Sequence, residues 1–170
     1  MAVRPIKNCL DPVLRKQCKL VENIDGELVT LSNDMIETTL AAPGVGLAAN
    51  QIGIPQRIFV VNFGVETDKD NLVTLINPEI TAMEGSELGE EGCLSIPDVV
   101  AEVKRATEVE IKAVDLDGND VRYEASGFLA RAIQHEMDHL NGVLFWDSLG
   151  KIKRDILKRK FKKKLKEQNE

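Results

Sequence analysis

No stretch of the sequence approaches the roughly 20 consecutive apolar residues that a membrane-spanning helix needs, and no charged, apolar and small-residue secretion pattern opens it. A soluble, cytoplasmic protein is expected. Cysteine is scarce and odd in number: Cys9, Cys18 and Cys93 lack zinc-ribbon spacing, which argues against a disulfide framework and for a reducing compartment. Histidine is scarcer still, with two residues in 170. Internal repeats, low-complexity tracts and long linkers are missing too. With 43% hydrophobic residues, the chain suits one globular domain with its own core.

Charge is unevenly distributed. Residues 151–170 hold ten of the 22 Lys and Arg against Asp155, Glu167 and Glu170, a balance of +7, whereas 12 basic and 25 acidic residues leave the remainder at −13. An acidic body disfavours nucleic-acid binding, and a basic tail either meets an anionic partner or is a solvated helix face.

Asp11-Pro12 has the form of an N-cap followed by proline at the first helical position, predicting a short helix through about Cys18. Leu28, Leu31, Met35 and Leu40 recur at near-helical spacing over 26–41, and Ala42-Pro43-Gly44 ends that run. Residues 57–63 and 73–80 are β-branched and read as strands. Val109, Ile111 and Ala113 alternate with charged residues, as do Val121, Tyr123 and Ala125 across Asp117-Gly118, which predicts an antiparallel hairpin. Ser126 is placed to cap a helix over 127–140, closed by Asn141-Gly142. The expectation is an α+β fold, with mixed or antiparallel sheets around a central helix and a further C-terminal helix.

That central helix carries the strongest chemical signal, Gln134-His135-Glu136-Met137-Asp138-His139-Leu140. His135 and His139 leave one helical face a turn apart and can grip one metal ion. An H-E-x-x-H string arises by chance, but here it holds every histidine of the chain. Phe128 and Ala132 continue that face, while Leu129, Ile133, Met137 and Leu140 form a neighbouring apolar stripe. A catalytic ion usually takes three protein ligands and leaves a position open. No third histidine follows downstream, and the only late glutamates lie in the basic tail, so ordinary zinc-peptidase ligand sets do not fit. Cys93 is the best remaining donor, in a segment whose Gly92 lets backbone approach a ligand. Spacing alone leaves Cys93 open as a histidine-activated nucleophile, a reading that explains the paired histidines and Glu136 less well. Cys9 and Cys18 read as buried structural thiols.

Three segments resemble the signature motifs of the peptide deformylase family, in its order and spacing: Gly44-Val45-Gly46-Leu47-Ala48-Ala49-Asn50-Gln51, Glu91-Gly92-Cys93-Leu94-Ser95, and the histidine segment through Gly142. The resemblance covers about residues 3–150, and the helical tail without a long insertion is similar to the bacterial type 1 branch. It implies a catalytic domain over 1–150, with 151–170 as a basic helical tail and not a second domain. It implies a metal-dependent enzyme that hydrolyses the formyl group from the N-terminal formyl-methionine of nascent polypeptides, releasing formate. By the same resemblance Cys93, His135 and His139 hold one divalent ion, ferrous iron in the cell and zinc, nickel or cobalt in purified protein, with water as fourth ligand. Glu136 carries the proton, and the Gln51 side-chain amide and Leu94 N–H stabilise the oxyanion.

Backbone around Val45 and Gly46 is then expected to pair with the peptide, and Gly89, Glu91, Phe128, Arg131 and Ala132 to form the methionine pocket. Gly89 stands where many relatives carry a bulkier aliphatic residue, and Val100 occupies a segment that lacks a common arginine, while Arg105 is retained. In the tail Leu157, Phe161 and Leu165 make an apolar stripe that docks on the domain or a partner, with Arg159, Lys162, Lys163 and Lys166 mainly on the other side. The resemblance suggests that this basic side meets the ribosome near the nascent-chain exit. Two other readings compete: a metallopeptidase, and a ribosome- or RNA-binding module with a dead metal site. The missing third peptidase ligand weighs against the first, and the intact Glu136 against the second.

Overall fold

The computed structural model describes residues 2–64 and 69–169. Helix α1 spans Gly26–Ala41, with the Asp25 side chain accepting from the Leu28 N–H and Leu28, Leu31 and Met35 buried on one face. Strands β1 (Gly46–Ala48), β2 (Ile58–Asn62) and β3 (Leu72–Glu84) follow. Next come β4 (Glu87–Cys93), β5 (Ile96–Arg105), β6 (Glu108–Val114) and β7 (Asp120–Ser126). Helices α2 (Gly127–Leu140) and α3 (Lys151–Gln168) complete the chain. One five-stranded sheet has the order β1-β2-β3-β6-β7, and β4 and β5 pair separately. Every strand pair is antiparallel, within the expected α+β class.

Three apolar clusters fix the layers. Phe59, Leu75, Ile111 and Ala113 of the large sheet pack against Ala130, Ile133, Met137 and Leu140, so the stripe expected on α2 is its core face. Leu28, Leu31 and Met35 pack with Leu47, Ile58 and Val60. The third cluster joins Cys9, Ile96, Val99 and Val103 to Leu144, Phe145, Trp146 and Phe161. The tail stripe therefore docks on its own domain, with Leu157 and Leu165 flanking Phe161. Phe161 is 2% exposed, and burying such a ring contributes about 1.5–3 kcal/mol. Lys158 Nζ lies 5.8 Å from the Trp146 ring centre, a cation–π contact.

Several local expectations change. The turn after Asp11 is a 3-10 helix over Pro12–Arg15 and stops short of Cys18. The chain beyond it is drawn into tertiary hydrogen bonds, Cys18 N–H to the Leu140 carbonyl at 2.8 Å and Lys19 N–H to that of Pro55 at 2.9 Å. Ser126 holds the N-cap position without a side-chain cap bond, and the N–H of the first helical residue, Gly127, donates to the Thr107 carbonyl at 3.0 Å. The third strand runs beyond residue 80 to Glu84 through two irregularities near Pro78 and Thr81. The β4–β5 hairpin and the short β1 strand have no counterpart in the sequence reading.

Candidate metal centre

Helix periodicity places His135 and His139 side by side, and the end of β4 brings Cys93 against them. His139 Nε2 is 3.1 Å from His135 Nε2 and 3.3 Å from Cys93 Sγ. His135 Nδ1 donates to Glu91 Oε1 at 2.9 Å, so that in the neutral ring Nε2 is the nitrogen whose lone pair faces the cluster. Two ring nitrogens and a sulfur crowded together with at most one proton between neighbours are what a cation relieves. The nitrogen separation is near the about 3.3 Å expected at two corners of a tetrahedral site. The donor set, one sulfur and two imidazoles within 4.8 Å of one another, fits a soft or borderline divalent ion. Cys9 and Cys18 take no part: burial pushes each thiol up to about 11, which keeps it protonated.

Glu91 is the hub behind the centre. Burial opposes its charge, yet the Arg105 guanidinium and His135 hold its carboxyl down at about 2. Arg105 grips it with Nε at 2.8 Å and Nη2 at 2.9 Å, Arg131 Nη1 donates at 2.7 Å, and Arg105 Nη1 reaches on to Asp138 at 2.6 Å. Losing one partner of so buried a pair costs about 3–5 kcal/mol. Burial works against a protonated His135, but Cys93 and Glu91 outweigh it and hold its pKa well above the ordinary value. His139, buried beside His135, is pushed well below.

Glu136 lies one residue along the helix and outside the ligand set. It is 4% exposed, burial lifts its carboxyl to about 7, and Oε2 has no partner among the described residues. Gly46 makes room for it: a Cβ there would sit 3.1 Å from Glu136 Oε1. Gln51 is oriented by its own loop, its Oε1 accepting from the Ala48 N–H at 2.9 Å while Nε2 faces Ser95 Oγ at 3.1 Å and Cys93 Sγ at 3.7 Å. Asn50 Nδ2 donates to the His139 carbonyl at 2.6 Å, which ties the same loop to the C-terminal end of α2.

A cavity of about 670 Å³ opens over the centre. Val45, Gly46, Gln51, Glu91, Cys93, Leu94, Val100, Phe128, Arg131, Ala132, His135 and Glu136 line it. Leu94 sits in the turn between β4 and β5, directly after Cys93. Of the pocket residues expected from the sequence, Gly89 does not line the cavity and lies behind Arg131. Glu91 does line it, but its carboxylate is committed to His135 and two arginines. The sequence carried no signal for Asp138, Asn50 or the bracing role of Arg105, because each acts through a tertiary contact.

Residues 3–155 match the model of the polypeptide deformylase family. The chain belongs to the polypeptide deformylase family. It is 48% identical over 167 residues to a peptide deformylase of Syntrophobacter fumaroxidans, covering 98% of each, and 47% identical over 164 residues to one of Agrobacterium fabrum, covering 96% of each. The fold superposes on a peptide deformylase from Legionella pneumophila with a TM-score of 0.93 at 43% identity, covering 99% of this chain and 98% of that one. Membership makes the chain a metal-dependent hydrolase that removes the formyl group from the N-terminal formyl-methionine of nascent polypeptides. None of its described helices is long and apolar enough to cross a membrane.

Proposed function

We propose that Cys93, His135 and His139 hold one divalent ion, ferrous iron in the cell, and that deformylation takes place in the cavity above them. The observation that carries this reading is a carboxylate oxygen of Glu136 that has no partner among the described residues, buried beside a convergent sulfur and two imidazoles. When bound, such an ion supplies Lewis acidity, bringing a water toward a pKa of about 7 and polarising a carbonyl. Glu136 takes the proton from the attacking water and returns it to the departing amine. Its surroundings suit that work, since a buried carboxyl titrating near neutrality can both accept and release a proton. Gln51 Nε2, preset by the Ala48 N–H, and the Leu94 backbone N–H receive the charge that develops on the formyl oxygen. Glu91 fixes the His135 ring and tautomer through Nδ1.

Val45 and Gly46 accept the peptide after methionine as an added strand, at the free edge of β1. Phe128, Arg131 and Ala132 wall the methionine side chain, with Gly89 and Glu91 shaping that wall from behind. Residues 1–150 are the catalytic domain and 151–170 its basic tail. A cytoplasmic location is supported by three free thiols and a nascent-chain substrate. A formyl-methionyl peptide incubated with the metal-loaded enzyme yields formate and a free methionyl amine in equal amounts, with every internal peptide bond intact. Cleavage of an internal bond would make the protein a metallopeptidase instead.

The tail supports a second contact. Its apolar stripe is covered by the domain, whereas Arg159, Lys162, Lys163 and Lys166 are all exposed. This basic face meets the phosphate-rich ribosome and concentrates the enzyme near its substrate without entering the chemistry. Reversing those four charges leaves turnover on a short formyl-methionyl peptide unchanged and weakens cosedimentation with ribosomes, as does added salt for the wild type. Cosedimentation that ignores both salt and charge reversal would reduce the tail to a solvated buttress.

A further inference from the structure

Gly89 and Glu91 are two residues apart on β4 and share its face toward α2, while Leu88 points away and is 62% exposed. Gly89 has no left-handed backbone to explain it; what needs the missing side chain is space. A Cβ built there would meet Arg131 Cζ and Nη2 at 2.8 Å and Nε at 2.9 Å, closer than real Cβ contacts come. The far end of an arginine is ordinarily free to move aside. This one is held: Nη1 donates to Glu91 Oε2 at 2.7 Å, to the Val103 carbonyl at 2.8 Å and to that of Gly89 at 3.4 Å, and Nη2 donates to the Glu87 carbonyl at 2.9 Å. Arg131 and His135 are one turn apart on α2, and the two oxygens of Glu91 bridge them.

We infer that Gly89 and Arg131 form one coupled unit, in which the empty position at 89 is the seat of the guanidinium. Arg131 so seated is a positioning residue: its stem walls the substrate side-chain pocket and its head braces Glu91 behind His135. The pocket half of this inference rests on the deformylase site proposed above; the bracing half rests on the hydrogen bonds alone. A larger residue at 89 unseats the guanidinium, which then moves toward the cavity and leaves Glu91. Replacing both residues by apolar ones rebuilds a wall without the brace.

The test compares wild type, Gly89→Leu, Arg131→Leu and the double variant as nickel-loaded enzymes. Two quantities are read: kcat and KM on formyl-methionyl and formyl-alanyl peptides, and the rate of nickel loss to a chelator. Gly89→Leu is expected to raise KM for the methionyl peptide about tenfold with little change in kcat, and to hasten nickel loss about tenfold. In the double variant KM returns to within about threefold of wild type, while nickel loss is no faster than in either single variant, since both substitutions remove the same brace. Losses in the double variant that multiply in both readouts would overturn the coupling, as would wild-type behaviour of Gly89→Leu. If Gly89→Leu does not fold, Gly89→Ala decides, with changes of about threefold in the same directions expected and none contradicting the inference. A wild type that does not prefer the methionyl peptide would sink the pocket assignment alone, and nickel retention would still decide the brace.

Discussion

Glu136→Gln keeps its full equivalent of metal and loses about 10²- to 10⁴-fold in turnover, the usual worth of a positioned proton carrier. The substitution preserves size and shape in a buried position, so the new amide fits the space that the missing Gly46 side chain leaves. The loss falls on kcat, because the role proposed for the group is on the proton of the attacking water and not on the bound peptide. Metal content is unaffected because Glu136 stands outside the Cys93, His135 and His139 set. Near-normal turnover with metal in place would remove Glu136 from the mechanism.

Cys93→Ala, His135→Ala and His139→Ala each weaken metal binding by more than about 100-fold, beyond the 10- to 100-fold effect of altering a supporting group. Among the described residues these three alone bring donor atoms within 4.8 Å of one another, so the loss of any one breaks the set. Metal analysis after dialysis checks this, and a fully occupied Cys93→Ala would overturn the ligand assignment. A thiolate beside ferrous iron is also exposed to oxidation. The iron form therefore loses activity in air while the nickel form keeps it; equal persistence of both would count against ferrous iron.

The elements read most directly from the sequence were those whose period matches their burial. Leu28, Leu31 and Met35 gave α1, the alternation on either side of Asp117-Gly118 gave the β6–β7 hairpin, and Ile133, Met137 and Leu140 gave the inner face of α2. Strand β4 escaped because its inward face holds Gly89 and Glu91, which show no apolar alternation, whereas Val99, Ala101 and Val103 of β5 do alternate and were passed over. A carboxylate at that buried position makes sense only once Arg105, Arg131 and His135 converge on it from a neighbouring strand and a helix. For the same reason Glu91, assigned by resemblance to the methionine pocket, has its carboxylate behind a candidate metal ligand. The paired histidines were legible as a site and elimination already pointed to Cys93 as the third donor, whereas spacing alone left open whether it acts as ligand or nucleophile. The capping reading held for Asp11, whose side chain accepts from the Val13 N–H, and failed for Ser126, which makes no side-chain cap bond.

The central claim, that one ion held by Cys93, His135 and His139 makes this chain a deformylase, is tested by titrating metal-free protein with ferrous iron under anaerobic conditions. Formate release from a formyl-methionyl peptide is followed at each addition. Activity that rises linearly and breaks at about one equivalent per chain, and that is absent at every addition in His139→Ala, is the expected result. Formate release by the metal-free protein, or no formate after one equivalent has bound, would contradict it.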